Sequence, residues 1–96
     1  MLEKITAIVL IGNSDDKLTQ KDWHYFVSAV RTIIWIFEKE THFIGSTEPF
    51  SEYQSGCFVF EMEKDQLEAF KNRLILVKAR HKQNFIALIV GNTLLI

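Results

Sequence analysis

The stretch EKDQLEAFKNRLILVKARH, residues 63–81, decides the fold, because it can be read in two ways. As a helix it sets Leu67, Phe70, Leu74 and Val77 on one face, with carboxylates early and Lys, Arg and His late, where each complements the helix macrodipole. Its middle, RLILVKA, also reads as a short apolar strand turning through RHKQN into the next element. The helical reading is the one adopted. It makes the order of elements β-α-β-β-α-β, whereas the strand reading removes the second helix.

Outward from that segment the pattern is consistent. Downstream, NFIALIVG is apolar on both parities and closes the chain as a strand covered on two faces. Upstream, GCFVFEM alternates Phe58, Phe60 and Met62 with Cys57, Val59 and Glu61, and THFIGS reads as a shorter strand, so the two form a hairpin. The connection STEPFSEYQS carries the one Pro and a dense set of polar residues, as an exposed loop should. Before the hairpin, Trp23, Phe26, Val27, Val30, Ile33, Ile34 and Phe37 fall on one helical stripe, with Thr19 as N-cap and an end near Glu40. Residues 3–11 supply the first strand. This order is the ferredoxin-like split βαβ: one four-stranded antiparallel sheet, strands one and three central, both helices on one face.

Composition agrees with a single globular domain spanning residues 1–96. The chain is 48% hydrophobic, with eight Phe, two Trp and two Tyr but one Pro and four Gly, which excludes a disordered or linker-rich chain. Eleven basic residues against twelve acidic give a net charge of −1, so no global field draws the protein to nucleic acid or an anionic membrane. The lone Cys57 excludes an internal disulfide and points to a reducing compartment, the cytoplasm. The opening MLEKITAIVLIG is too short in its apolar run to span a bilayer and has an acidic residue near its start, so it reads as a strand and no membrane partner is expected.

In this architecture the sheet face away from the helices should be polar in a monomer. Here it is not. With Phe58, Phe60 and Met62 toward the helices, the open face receives Cys57 and Val59, and strand one adds Ile8 and Leu10; either parity of strand four contributes apolar residues. A second copy would bury that face, so Ile8, Leu10, Cys57 and Val59 are the expected homo-oligomer interface. Tyr25, Trp35, Ile36 and Leu76, off the helical stripes, add further apolar surface.

The run VLIGNSDDKLTQKDW, with the residues after it to Phe26, resembles the opening of an RNA-recognition motif: a strand ending in an apolar-Gly-Asn turn, a short polar loop and a Thr-capped helix. That resemblance implies single-stranded RNA stacked on aromatic side chains of the sheet face. The chain departs from the motif where stacking would occur. Leu10 stands at the strand-one aromatic position. SGCFVFEM meets the strand-three signature in neither register: one puts Phe58 at a small position and Met62 at the last aromatic, the other loses the Gly and puts Glu61 in an aromatic slot.

Other polar features give weaker candidates. Asn13, Asp15 and Asp16 follow strand one in a turn that falls short of any phosphate-binding glycine pattern. His42 on the hairpin, with Glu48 and Tyr53 in its long loop, completes a candidate small-molecule ligand set. His24, His42 and His81 lie on separate elements without metal-site spacing, so no metal, cofactor or catalytic residue is assigned. Lys71, Arg73, Lys78, Arg80 and Lys82, with His81, gather toward the end of the second helix, where the dipole favours cations and a nucleic-acid backbone could also be received. The expected role is a non-enzymatic, self-associating ligand-binding or regulatory module. Two alternatives stand beside it: a nucleic-acid-binding or nuclease-like protein using the basic cluster, and a small enzyme with a pocket inside the dimer built on His42, Tyr53 or Cys57.

Overall fold

The computed structural model describes residues 3–13, 18–48 and 54–96. In chain order its elements are β1 (Lys4–Gly12), α1 (Gln20–Phe37), β2 (Glu38–Ser46), β3 (Ser55–Glu63), α2 (Leu67–Arg80) and β4 (Ala87–Gly91), with a 3-10 turn over Lys64–Gln66 leading into α2. Residues 63–81 therefore take the helical reading. Phe70, Leu74 and Val77 are the buried face of α2, Glu68 lies in its first turn, and Lys78 and Arg80 lie in its last.

The strands form one antiparallel sheet in the order β2-β3-β1-β4, the ferredoxin-like arrangement. β1 and β3 are central, and both alternate strictly. Ile5, Ala7, Val9 and Ile11 are buried on one face beside Phe58, Phe60 and Met62, while the residues between them are not. The helices complete that side with Trp23, Phe26, Val30, Ile33 and Ile34 from α1 and the α2 stripe. The Phe70 ring stands edge-on to Phe60 at 5.6 Å and to Phe37 at 5.4 Å, tying sheet and both helices at one point. Each such buried side chain contributes about 1.5–3 kcal/mol relative to exposure.

α1 starts where its cap is. The Asp22 backbone N–H donates to Thr19 Oγ1 at 3.2 Å, and Thr19 itself is extended. The helix stops three residues before the expected Glu40, at Phe37, and β2 begins at once with Glu38, making this strand nine residues rather than a short one. The physical reason lies in charge. No basic residue occupies the last turn of α1, and Glu38 and Glu40 would oppose the negative end of its dipole, whereas in β2 they lie clear of it and Glu38 accepts from the Thr41 hydroxyl.

β4 is also displaced from its expected start at residue 84 and runs only over Ala87–Gly91. Three backbone bonds close the end of α2: His81 N–H to Val77 O, Lys82 N–H to Ala79 O and Gln83 N–H to Lys78 O, at 3.0, 3.1 and 2.9 Å. Lys82 adopts φ 55 there, a left-handed position where Gly is the usual choice, so the stop signal was absent from the sequence. Asn84, Phe85 and Ile86 then carry the chain back to the sheet. Tyr25, Trp35, Ile36 and Leu76 are exposed on the helices, as expected from their places off the stripes. Among the described residues no helix is long and apolar enough to cross a membrane.

Candidate interaction surface on the open sheet face

Strand alternation sends every second residue of β1 and β3 away from the helices. The cross-strand registers then align them into rows. One row runs across all four strands as Ile89, Ile8, Val59 and Phe43, and the next as Ala87, Leu10, Cys57 and Gly45. Both rows are apolar throughout. Leu10 is 39% exposed, Ile89 51% and Phe43 55%, while Ile8, Cys57, Val59 and Ala87 are half-buried by their neighbours. The rows on either side are polar or lack side chains: Gly91, Thr6, Glu61 and Glu40 at one end, and Gly12 and Ser55 at the other. An apolar centre within a polar rim is the anatomy of a protein–protein interface.

The four interface residues expected from sequence, Ile8, Leu10, Cys57 and Val59, thus sit together at the middle of the face. Phe43, Ala87 and Ile89 join them and were not anticipated as a set. Phe43 lies over Gly45, where a Cβ would come within 2.5 Å of its ring; the missing side chain lets the ring lie down on the sheet. A hollow of about 510 Å³ opens beside it, lined by Leu10, Phe43, Gly45, Ser46, Gly56 and Cys57 among others.

At the other end of the face Glu40, His42 and Glu61 bring an oxygen, a nitrogen and an oxygen within 4.8 Å of one another. His42 Nε2 is 3.7 Å from Glu61 Oε2, and Glu40 stands directly across from Glu61. One imidazole with two carboxylates is a donor set that suits a divalent cation. The same residues, with Lys39 paired to Glu63 at 3.7 Å, also make β2 a charged edge strand, which discourages edge-to-edge association. Glu40 and Glu61 were missed from sequence, although Glu40-x-His42 puts both side chains on one face once the segment is a strand. Like charges directly opposite are unfavourable, so Glu40→Lys should raise stability by about 0.2–1 kcal/mol. Thermal unfolding checks this, with a Tm higher by a few degrees at low ionic strength and a smaller gain in salt.

Among the described residues of the candidate ligand set, His42 lies apart from Asn13 and Glu48. Asp15, Asp16 and Tyr53 lie outside the described residues. Asn13 is buried, and its amide is engaged within the chain: Nδ2 donates to Leu18 O at 2.9 Å and Oδ1 accepts from Leu18 N–H at 3.1 Å. Glu48 is exposed just past β2, and His42 belongs to the Glu40–Glu61 cluster at the far end of the sheet. Gly45 rather than His42 stands opposite Cys57, so the hairpin does not form a Cys–His pair.

The basic residues of α2 divide between two sides. Lys71 and Lys78 line a groove with Phe85 and Leu88 of the β4 side, and Lys71 is paired with Glu68 at 3.2 Å. Arg80 and Lys82, with His81, instead face Tyr25 and Asp22 of α1. Arg73 is exposed and lines neither.

No protein-family model matches this chain, and no curated relative does. Solved structures do. The chain is similar to a de novo designed protein, Foldit4, at 7% identity and a TM-score of 0.66, over 96% of this chain and 100% of that one. It is also similar to a DUF3240-family protein of Shewanella baltica at 16% identity and a TM-score of 0.54, over 99% and 94%. A dimeric ferredoxin-like protein from an uncultured marine organism stands further off, at 10% identity and 0.48 over 99% and 90%. At these identities the likeness is one of fold. It agrees with the strand order and helix placement above.

Proposed function

We propose that this chain is a small non-enzymatic regulatory or ligand-binding module of the cytoplasm that works as a homodimer, joined through the open face of its sheet. The observation that carries this reading is the pair of apolar rows crossing all four strands, in which Leu10, Phe43 and Ile89 remain substantially exposed. A monomer would hold that surface in water at roughly 25 cal/mol for each Å² left exposed, and a second copy of the same surface removes it on both sides at once. The polar rows at the two strand ends limit the apolar contact to a band across the middle of the face.

Molecular mass in solution at micromolar concentration tests the assembly. Sedimentation equilibrium should return twice the mass of one chain. Leu10→Lys, at the centre of the second row, should return the mass of one chain with an unchanged far-UV spectrum, since Leu10 takes no part in the helix-side core. Ile36→Lys, on the exposed side of α1, should leave the dimer intact. A wild-type chain of single mass at these concentrations would sink the reading.

A further inference from the structure

We propose that the segment after β4, residues 92–96, crosses to the second copy and fills the hollow on that copy's open face; this rests on the face-to-face dimer proposed above. Three observations lead to it. The first is exposure: Leu94 is 82% and Leu95 85% exposed, and Ile96 is fully so, making this the most exposed run of large apolar side chains among the described residues. Unlike the exposed pairs Trp35–Ile36 and Ile75–Leu76, which sit on helices whose other faces are buried, it is a run of three lying outside every helix and strand.

The second is area. Three strands of nine residues and the five-residue β4, at ~3.3 Å per residue and ~4.8 Å between strands, give the face a footprint of about 500 Å². A stable pair buries about 800 Å² on each partner. The face alone falls short of that, and a segment holding two Leu and an Ile from each copy supplies the rest.

The third is direction. β4 runs antiparallel to β1, with Ala87 opposite Leu10 and Gly91 opposite Thr6, so the chain leaves the sheet at the Thr6 end. There the Thr93 hydroxyl is hydrogen-bonded to the Thr6 hydroxyl, and Thr6 projects from the open side, between buried Ile5 and Ala7. The hollow beside Leu10, Phe43 and Cys57 lies at the opposite end of the same face. A two-fold axis between the faces and perpendicular to the strands reverses strand direction, setting the Thr6 end of one copy over the Leu10 end of the other. The same axis keeps β4 over β4, so residues 92–96 start at the Leu10 border of the partner's hollow and, extended over ~16 Å, reach across β1 and β3 toward Phe43. The hollow of each copy is completed only by the other's segment.

Cys57, in the lining of the hollow, provides the test. L95C changes an exposed side chain and leaves the fold unaltered. Diamide oxidation joins two neighbouring thiols as a disulfide, the diamide taking up the two protons and two electrons. The expected product is a covalent pair of chains on a non-reducing gel, abolished by dithiothreitol and by adding C57S, while the wild type gives none. A disulfide closed within one chain would mean that the segment folds over its own face, and would overturn the exchange. So would the absence of any disulfide, cross-linking of the wild type through Cys57 alone, or a covalent pair that persists in the L95C/C57S chain. A wild type sedimenting at twice the chain mass beside any of these results rejects the exchange and leaves the shared face standing. A wild type at single mass removes both.

Discussion

Phe60→Ala is expected to lower the free energy of unfolding by about 3–5 kcal/mol, a large part of the roughly 5–15 kcal/mol that holds a domain of this size. Phe60 is fully buried on the central strand β3, opposite Ala7 of β1 and Thr41 of β2, with Phe70 of α2 edge-on above it. Its removal leaves a cavity where sheet and helix meet. The opposing Ala7 is too small to fill it, and Phe70 is held between Phe60 and Phe37. Urea titration should show the midpoint falling with an unchanged m-value, and Tm should drop by upwards of about 12 °C. Phe43→Ala is the matched control, since the same deletion on the open face removes a ring that supports no core residue. Measured in the Leu10→Lys chain, which has no dimer to lose, it should change stability by no more than about 0.5 kcal/mol. Equal losses at the two positions would mean that the assignment of faces is wrong.

That assignment was legible in the sequence because two kinds of period coincide. Phe58, Phe60 and Met62 repeat every second residue, and the stripe of α1 repeats at helical spacing, so a sheet face and a helix face of matching character had to meet. The ends of elements were less legible, and each miss has its own cause. Helical spacing continues without a Gly or Pro to mark a stop after Phe37, and only the charges of Glu38 and Glu40 show that the helix is unfavourable beyond it. The end of α2 is closed by backbone bonds and by Lys82 in a left-handed conformation, which no residue type announces. NFIALIVG is apolar on both parities, so its pattern could fix neither where β4 begins nor which of its residues join the open face.

The candidate site divides in the same way. Ile8, Leu10, Cys57 and Val59 followed from parity alone, because they belong to the two strands whose alternation is unambiguous. Phe43 did not, because β2 shifts register between Glu38 and Glu40 and again between Thr41 and Phe43. A strand with irregularities cannot have its faces counted from the sequence. Of the Glu40, His42 and Glu61 cluster, only Glu40-x-His42 is a spacing the sequence carries; Glu61 joins it through the cross-strand register.

Asn13 gives the second large effect, and it separates a structural amide from a ligand-binding one. Its side chain holds both backbone groups of Leu18, its own N–H donates to Gln54 O at 2.7 Å, and Gln54 is in turn buried and joined to Gln20 by two side-chain amide bonds of 2.9 and 3.0 Å. Asn13→Leu leaves the Leu18 N–H and C=O without partners at about 1–3 kcal/mol each, so stability should fall by about 2–6 kcal/mol. Asn13→Asp refines the point. The introduced carboxylate still accepts from the Leu18 N–H but faces the Leu18 carbonyl oxygen with negative charge, whereas its protonated form can donate there as the amide does. Burial and that carbonyl both raise its folded-state pKa above the unfolded value of about 3.9. A raised pKa contributes stability below the unfolded value and loses it as pH rises through the folded one. The deficit against wild type should therefore be small near pH 4 and grow toward neutrality, as read by urea titrations at several pH values. If Asn13 served chiefly to contact a ligand, Asn13→Leu would unfold at the wild-type Tm, and Asn13→Asp would follow the wild-type pH profile.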